Sequence, residues 1–111
     1  MSRIYKILAA QEWTRAEALG RFDGSAVDLK DGYIHLSSAA QVKETARLHF
    51  RGQSDLVLVA LDAEALGAAL KWEPSRAGAL FPHLYGALDV SLALEVRPLT
   101  LDADGAPEIE L

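Results

Sequence analysis

The sequence contains no cysteine, which excludes disulfide bonds and thiolate metal sites. Basic residues are few, since 11 Lys and Arg stand against 16 Asp and Glu and give a formal net charge of -5. No basic stripe runs along the chain, so we expect no non-specific binding to the phosphate backbone of nucleic acids. A local basic pocket for one small phosphorylated ligand is compatible with this charge balance.

Long apolar segments are also missing. No stretch approaches the roughly 20 residues of a membrane-spanning helix, so we expect no membrane partner. The N-terminal residues 1–6 lack the apolar run of a signal peptide, and we expect a cytoplasmic protein. At 111 residues, of which 50% are hydrophobic, the chain is predicted to form one domain over residues 1–111. The sequence does not predict its oligomeric state.

Several common site motifs are absent as well. The chain has no P-loop, no dinucleotide-binding glycine fingerprint and no nucleophile elbow. No two histidines stand four residues apart on a predicted helix, so we predict no metal site.

The hydrophobic pattern predicts an α+β fold with a twisted, mainly antiparallel sheet and a few helices. The continuous apolar run at residues 56–61 predicts a central strand that is covered on both faces. The alternation at residues 90–99 predicts a half-buried strand with Val90, Leu92, Leu94 and Val96 pointing inward. The other predicted elements are a strand at 3–8, a helix at 11–19, a loop at 21–30, a strand at 33–37, a helix at 39–51, a short helix capped by Asp62, and an extended segment and loop at 71–78. The acidic tail from Asp102 is compatible with a frayed end or with an edge strand through Ile109.

The stretch at residues 31–38, Asp-Gly-Tyr-Ile-His-Leu-Ser-Ser, is the centre of this prediction. Asp31-Gly32 is a strong turn signal, and Ser38 with Gln41 has the spacing of a helix capping box. Side chains of a strand alternate between its faces, so Ile34 and Leu36 should enter the core. The opposite face then carries Tyr33, His35 and Ser37.

A second stretch, Phe-Pro-His-Leu-Tyr-Gly at residues 81–86, repeats this pattern. In both stretches an aromatic residue stands two positions before the histidine and a hydroxyl-bearing residue two positions after it. Imidazole titrates closest to neutral pH and can donate or accept a proton. We therefore expect the two stretches to meet in one site. The two histidine rings should lie roughly within 10 Å of each other, because both would then contact the same small ligand. The candidate catalytic residues are His35, Glu73 and His83.

The candidate ligand-binding residues follow from the same reasoning. An aromatic ring pair, Trp72 and Phe81, could flank a flat ligand ring, and an arginine fork suits phosphate or carboxylate. This set is Tyr33, Ser37, Trp72, Arg76 and Tyr85. The residues alone also leave open a plainer alternative, in which Tyr33 and His35 line a wet sheet face and Trp72 and Phe81 are core.

The chain resembles the small bacterial family catalogued as domain of unknown function 952. The resemblance rests on the stretches at 4–7, 31–37, 56–61, 72–75 and 81–86, and it covers about residues 3–96. The family's fold is similar to that of the ADP-ribosyltransferases, a small split α+β sheet around an NAD-binding cleft. The resemblance therefore implies an ADP-ribosyltransferase-like fold. It is compatible with NAD as a cofactor, although the sequence does not predict which cofactor is bound.

In the ADP-ribosyltransferases a strand histidine contacts the ribose of NAD, a tyrosine stacks on nicotinamide, and a glutamate stabilises the reacting centre. The resemblance implies the first role for His35 with Ser37, the second for Tyr85, and the third for Glu73 or Glu95. Our hypothesis is that the cleft binds or processes a nucleotide-like or phosphorylated ligand, with an ADP-ribosyl or glycosyl transferase-like reaction. The alternative is a non-catalytic binding or interaction module that kept the fold without the chemistry.

Overall fold

The computed structural model describes residues 2–111, so Met1 of the predicted domain lies outside the described residues. The Cα radius of gyration is 13.0 Å, close to the roughly 13 Å of a compact domain of this size. The strands are β1 (Arg3–Ala9), β2 (Arg21–Phe22), β3 (Ile34–His35), β4 (Ser37–Ser38), β5 (Leu56–Asp62), β6 (Leu70–Pro74), β7 (Leu80–Leu84), β8 (Leu88–Asp89) and β9 (Glu95–Leu99). The helices are α1 (Ala10–Leu19), α2 (Ala26–Asp31) and α3 (Val42–His49), with 3₁₀ segments at Ala63–Ala69, Arg76–Gly78 and Val90–Leu92.

The strands form three antiparallel sheets. The largest has the order β4-β1-β5-β9, a second has β3-β7-β6, and β2 pairs with β8. The prediction of a single small α+β domain with antiparallel sheets is confirmed, and so is the central place of the strand at 56–61. No helix within residues 2–111 is long and apolar enough to cross a membrane.

The predicted strand at residues 33–37 is divided between two sheets. β3 pairs with β7, whereas β4 pairs with β1. The crossing takes place at Leu36, which is buried and whose N–H donates to the carbonyl of Pro82 at 3.1 Å. As predicted, Ile34 and Leu36 are core residues.

The four-stranded sheet is covered on both of its faces. One core lies on the face of Ile4 and Leu8 and includes Trp13 of α1 and Leu84 of β7. The other core lies on the face of Tyr5 and includes two residues of α3 and one of the C-terminal tail, Val42, Ala46 and Ile109. A strand with apolar side chains in both directions needs such cover, which explains the unbroken apolar run in β5.

The prediction of a loop at residues 21–30 is wrong, because this segment contains β2 and most of α2. Helix α2 is short and its apolar side chains, Val27 and Leu29, are exposed, so it has no apolar period. Its buried residue is Asp28. Ser25 and Asp28 form a capping box, with the Ser25 N–H donating to Asp28 Oδ2 at 2.9 Å.

Helix α3 begins three residues later than predicted, with Gln41 and not Ser38 at the N-cap. Residues 39–41 form a turn instead, in which the Gln41 side chain accepts a hydrogen bond from the Ser38 N–H at 3.0 Å. One half of the predicted capping box therefore exists, but it closes a turn before the helix. In the other half the Gln41 N–H donates to the carbonyl of Ser38 at 3.1 Å and not to its side chain.

The strand predicted at residues 90–99 is only half correct. Val90 and Leu92 pack on the first core from a 3₁₀ turn, while Leu94 and Val96 are 46% and 39% exposed. Val96 lies opposite the buried Val59, but β9 is the edge strand of its sheet. The inward orientation predicted for Leu94 and Val96 is wrong. Alternation shows which side chains share a face of the strand, but it does not show whether other residues cover that face.

The acidic tail folds back along β9. Leu101 bridges to Pro107, and the Glu108 N–H donates to the carbonyl of Thr100 at 2.8 Å. The side chain of Ile109 is buried in the second core, so the end of the tail is neither frayed nor a regular strand.

We predict that Ile109→Ala destabilises the fold by about 2–4 kcal/mol, because it leaves a cavity in the second core. Urea unfolding followed by circular dichroism measures this change. Leu111→Ala is the matched control, since Ile109 is 7% exposed and Leu111 is 58% exposed. The control should stay within about 0.5 kcal/mol of wild type. Equal, small effects of both substitutions would contradict the packing of the tail.

Candidate functional site

The buried carboxylate of Asp28 is the centre of the candidate site. Its side chain is 2% exposed and lies on the short helix α2, which the capping box with Ser25 holds in place. Asp28 Oδ2 lies 2.9 Å from Nζ of Lys6, on the neighbouring strand β1. Asp28 Oδ1 lies 2.6 Å from Nδ1 of His35 and accepts the backbone N–H of the same residue at 3.0 Å. Every oxygen of this carboxylate therefore has charged or N–H partners.

These contacts determine the charge states of the buried pair. Burial raises the pKa of Asp28, but the hydrogen bond from His35 and the charge of Lys6 outweigh it and lower the pKa to about 2. Burial lowers the pKa of Lys6, against the opposing effect of Asp28. Lys6 Nζ also donates to the carbonyl of His35 at 3.0 Å. At neutral pH the Asp28 carboxylate is therefore ionised and accepts from Nδ1 of His35.

His35 and His83 face each other across two adjacent strands. They are directly paired in the β3–β7 ladder, so their side chains share one sheet face. Their ring centroids are 5.7 Å apart, within the distance predicted from the sequence. The second ring nitrogen of His35, Nε2, lies 3.0 Å from Oδ2 of Asp31.

His83 has a carboxylate partner of its own. Its Nδ1 lies 2.8 Å from Oε1 of Glu73, which also accepts the Tyr85 hydroxyl at 2.8 Å. The hydrogen bonds from His83 and Tyr85 lower the pKa of Glu73. The hydrogen bond between Tyr85 and Glu73 also raises the pKa of Tyr85. The Tyr33 ring stacks on His83 at 4.0 Å and contacts His35 at 4.6 Å. Burial, followed by the negative charges of Asp31 and Glu73, raises the pKa of Tyr33.

An open cavity of about 830 Å³ adjoins this cluster on the side of His35. Its polar wall consists of His35, Ser37, Lys6, Glu12 and Ser25. Its apolar wall includes Leu8, Val27, Leu36 and Phe50, and its far end carries His49 and Gln53. His83, Glu73, Tyr33 and Tyr85 are not among the lining residues. Of these four, Tyr33 and His83 contact the His35 ring. The cavity lies where the four-stranded and three-stranded sheets separate at Leu36.

The structure does not bring every predicted site residue to this place. Trp72 lies between Lys71 and Glu73 on β6, so its exposed ring is on the opposite sheet face from Glu73 and His83. Glu95 pairs with Ala60 on the far side of β1, three strands from Ser37, and forms ion pairs with Arg3. Neither is placed to contact a ligand held by His35.

Arg76 and Ser37 both contact the hydroxyl of Thr45 on α3. Arg76 donates to the hydroxyl of Thr45 at 3.3 Å, and its guanidinium lies 4.9 Å from the centroid of Phe81. Ser37 Oγ lies 3.1 Å from the same Thr45 hydroxyl. Ser37 lines the cavity, whereas Arg76 does not, although its neighbour Ser75 does. An anion-holding role for Arg76 stays a prediction.

Asp28, Lys6, Glu12 and His49 are not among the site residues predicted from the sequence. Asp28 lies in the segment that was predicted as a loop. The one feature of the sequence that points to such a carboxylate is Lys6, a lysine within an apolar strand. A buried lysine requires a carboxylate partner, which can be inferred without knowing which carboxylate supplies it.

The two histidine rings are each held in position by a carboxylate on Nδ1. A carboxylate bound to Nδ1 fixes the orientation of an imidazole, as an aspartate does for the histidine of a catalytic triad. His35 and His83 each have such a partner. Within residues 2–111 no group of three or more His, Asp or Glu side chains is arranged to hold a metal ion.

Comparisons with known proteins agree on one family. The sequence model of the family described as "Protein of unknown function (DUF952)" matches residues 7–96. The crystal structure of protein CC0527 from Caulobacter crescentus is 59% identical, with a TM-score of 0.95 over 96% of this chain and 94% of that one. Its solution NMR structure is 59% identical, with a TM-score of 0.88 over 97% and 93% of the two chains. The V27M/L66M double mutant of the same protein gives 57% identity and a TM-score of 0.94 over 96% and 94%. No curated protein matches the sequence.

We predict that acid removes the contribution of Asp28 to stability within a defined pH range. Its pKa is about 2 in the folded protein and about 3.9 in an unfolded chain, so the contribution is complete above about pH 5. It is lost as the pH falls through about 4 towards 2, and it amounts to about 2–3 kcal/mol. Urea midpoints measured from pH 6 to pH 2 test this dependence.

Asp28→Asn and Asp31→Asn are the matched pair for this measurement. Asp28→Asn leaves Lys6 buried without its counter-charge and should cost about 3–5 kcal/mol at pH 7. Asp31 has a 38% exposed side chain, and its substitution should cost less than about 1 kcal/mol. If the two variants lose the same stability, the central place of Asp28 is wrong.

Proposed function

The chain belongs to the DUF952 family, and on that premise we propose that it binds a nucleotide-like small ligand in the cavity beside His35. The observation that carries the proposal is the orientation of His35, whose ring is held by the buried Asp28 and lines a cavity of about 830 Å³. Ligand sites in proteins typically measure about 300–1,000 Å³, and they combine apolar walls with a few fixed polar groups.

The distribution of charge favours one orientation of such a ligand. Asp28, Asp31 and Glu12 lie around the His35 end. Among the described residues that line the cavity, Lys6 is the one Lys or Arg side chain that offsets these negative charges. A phosphate group would meet repulsion there, whereas a hydroxyl group can donate to the carboxylate of Glu12, which lines the cavity. We therefore place the ribose-like part of the ligand at His35 and Ser37, and its aromatic part near Phe50.

The split between the sheets supports an ADP-ribosyltransferase-like fold as part of this proposal. In that fold NAD lies in the cleft of a split sheet, and His35 with Ser37 would contact its ribose. Glu12 is the half-buried carboxylate that lines the cavity, whereas Glu73 is engaged by His83 and Tyr85. If a glycosyl transfer takes place here, Glu12 is the better placed acid. His83, Tyr33 and Tyr85 then act through the position of His35.

We predict that NAD or AMP raises the melting temperature of the wild-type protein and that His35→Gln abolishes the increase. A ligand at 100 times its dissociation constant adds about 2.7 kcal/mol of stability. His35→Gln removes the imidazole while its backbone contacts with Asp28 and Lys6 remain. Thermal unfolding with and without each nucleotide, followed by titration calorimetry, measures the change.

Lys30→Ala is the control, because Lys30 is an exposed residue of α2 outside the cavity lining. It should bind as tightly as wild type. Binding that is equal in wild type and His35→Gln would contradict the proposed site. Turnover of NAD by wild type but not by Glu12→Gln would favour an enzyme, and binding without turnover would favour the non-catalytic module.

A further inference from the structure

The cavity contains a free edge of strand β1. β1 pairs with β5 along its whole length, from Arg3 to Ala9. On its other side β4 pairs with it only at Ile4 and Tyr5. In the part of the chain that the structure describes, residues 2–111, no strand pairs with β1 on that side from Lys6 to Ala9. These same residues line the cavity.

The hydrogen bonds at both ends of β1 show which backbone groups face the cavity. The Ser2 carbonyl accepts from the Ala63 N–H at 2.8 Å, and the Ala10 N–H donates to the Asp55 carbonyl at 2.7 Å. Both partners flank β5, so the even-numbered residues bond on the β5 side. Successive residues of a strand direct their N–H and C=O groups to opposite sides of the strand, so the odd-numbered residues of β1 face away from β5. Ile7 therefore directs its N–H and C=O groups into the cavity. Ala9 directs only its N–H there, because the carbonyl of this N-cap residue accepts the first hydrogen bond of α1.

Buried backbone donors and acceptors rarely stay without partners, and Ile7 is a buried residue. The free edge is short, because β4 blocks it at Tyr5 and α1 begins at Ala10. Residues 6–9 span about 10 Å. A peptide strand that runs past both ends does not fit this edge, whereas a small planar group does.

The cavity walls suit a planar group in the plane of the sheet. Side chains of β1 alternate, so Leu8 points towards the first core and Ile7 towards the second. Val27 of α2 lines the cavity and is next to Asp28, which binds the Lys6 side chain on the Leu8 face of β1. Phe50 packs against the second core. A ring whose edge meets the β1 backbone would have apolar side chains on both of its faces.

We propose that Ile7 and Ala9 recognise, through their backbone, a planar group that carries a hydrogen-bond donor beside an acceptor. A nucleobase and a carboxamide are such groups. The proposal rests on the proposed function and names the chemical class of its ligand: a heteroaromatic or amide group at the β1 edge, linked to a hydroxyl-bearing part at His35.

Ala9→Pro tests the proposal at a position that accepts proline. Ala9 has φ −62°, close to the roughly −65° that proline requires, and proline removes its N–H group. Because this N–H does not bond to β5, the fold should be retained. Ala9→Ser keeps the N–H and is the matched control. We expect Ala9→Pro to weaken AMP binding by about three- to tenfold and Ala9→Ser to leave it unchanged.

Backbone amides of the wild-type protein give a second readout that needs no substitution. Ile7 and Ala9 amides should exchange quickly in the free protein and slow down when AMP, NAD, adenine or nicotinamide is added. The Lys6 and Leu8 amides, which bond to β5, are internal controls that stay slow throughout. Ribose 5-phosphate has neither base nor carboxamide and should leave the exchange of Ile7 and Ala9 unchanged.

The outcomes separate this inference from the proposed function. If nucleotides bind in a His35-dependent manner but ribose 5-phosphate binds equally well and the Ile7 and Ala9 amides do not respond, the edge proposal is overturned and the proposed function stands. If nucleotides do not bind but adenine or nicotinamide protects both amides, the edge proposal stands and the proposed function fails. If none of the probes changes these amides, the edge proposal is wrong.

Discussion

The ion pair between Lys6 and Asp28 is the constraint on which the candidate site depends. Removing a lysine charge from water costs several kcal/mol unless a counter-charge and hydrogen bonds replace the water. Asp28 supplies the charge, and the carbonyl of His35 supplies a further acceptor. These contacts connect β1, α2 and β3, so the orientation of His35 follows from a requirement of the core.

The division of the sheet at Leu36 gives the site its space. If residues 33–38 had continued along β1 as one strand, the strand would have covered the backbone of Ile7 and left no cavity. Instead β3 turns to β7 and carries His35 away from β1, while Lys6 Nζ bridges the gap to the His35 carbonyl. The same event therefore opens the cavity, exposes the edge of β1 and brings His35 beside His83.

Much of the fold could be predicted because its elements have clear periods. The apolar run of β5, the stripe of Val42 and Ala46 on α3, and the burial of Ile34 and Leu36 follow from side-chain geometry that the sequence displays. The segment with α2 could not be predicted, because its single buried residue is charged and its apolar residues are exposed. Patterns of hydrophobicity do not report a helix that is held by an ion pair.

Part of the candidate site could be predicted because the side chains of a strand alternate between its faces. The spacing of the two histidine stretches indicated that His35 and His83 share a face, and their direct pairing gives that geometry. Trp72 was grouped with them by composition, but its position between Lys71 and Glu73 sends it to the other face. Asp28 and the free edge of β1 depend on which strand pairs with which, and a single sequence does not contain that information.

A crystal structure of the protein soaked with AMP and NAD at millimolar concentration would locate the bound ligand. We expect density for the nucleotide in the cavity beside His35, with its ribose near His35 and Ser37 and its base or carboxamide against Ile7. The Asp28 carboxylate should still contact Lys6 and Nδ1 of His35. A nucleotide bound elsewhere, for example on Trp72, or a cavity without nucleotide at saturating concentration would contradict this expectation.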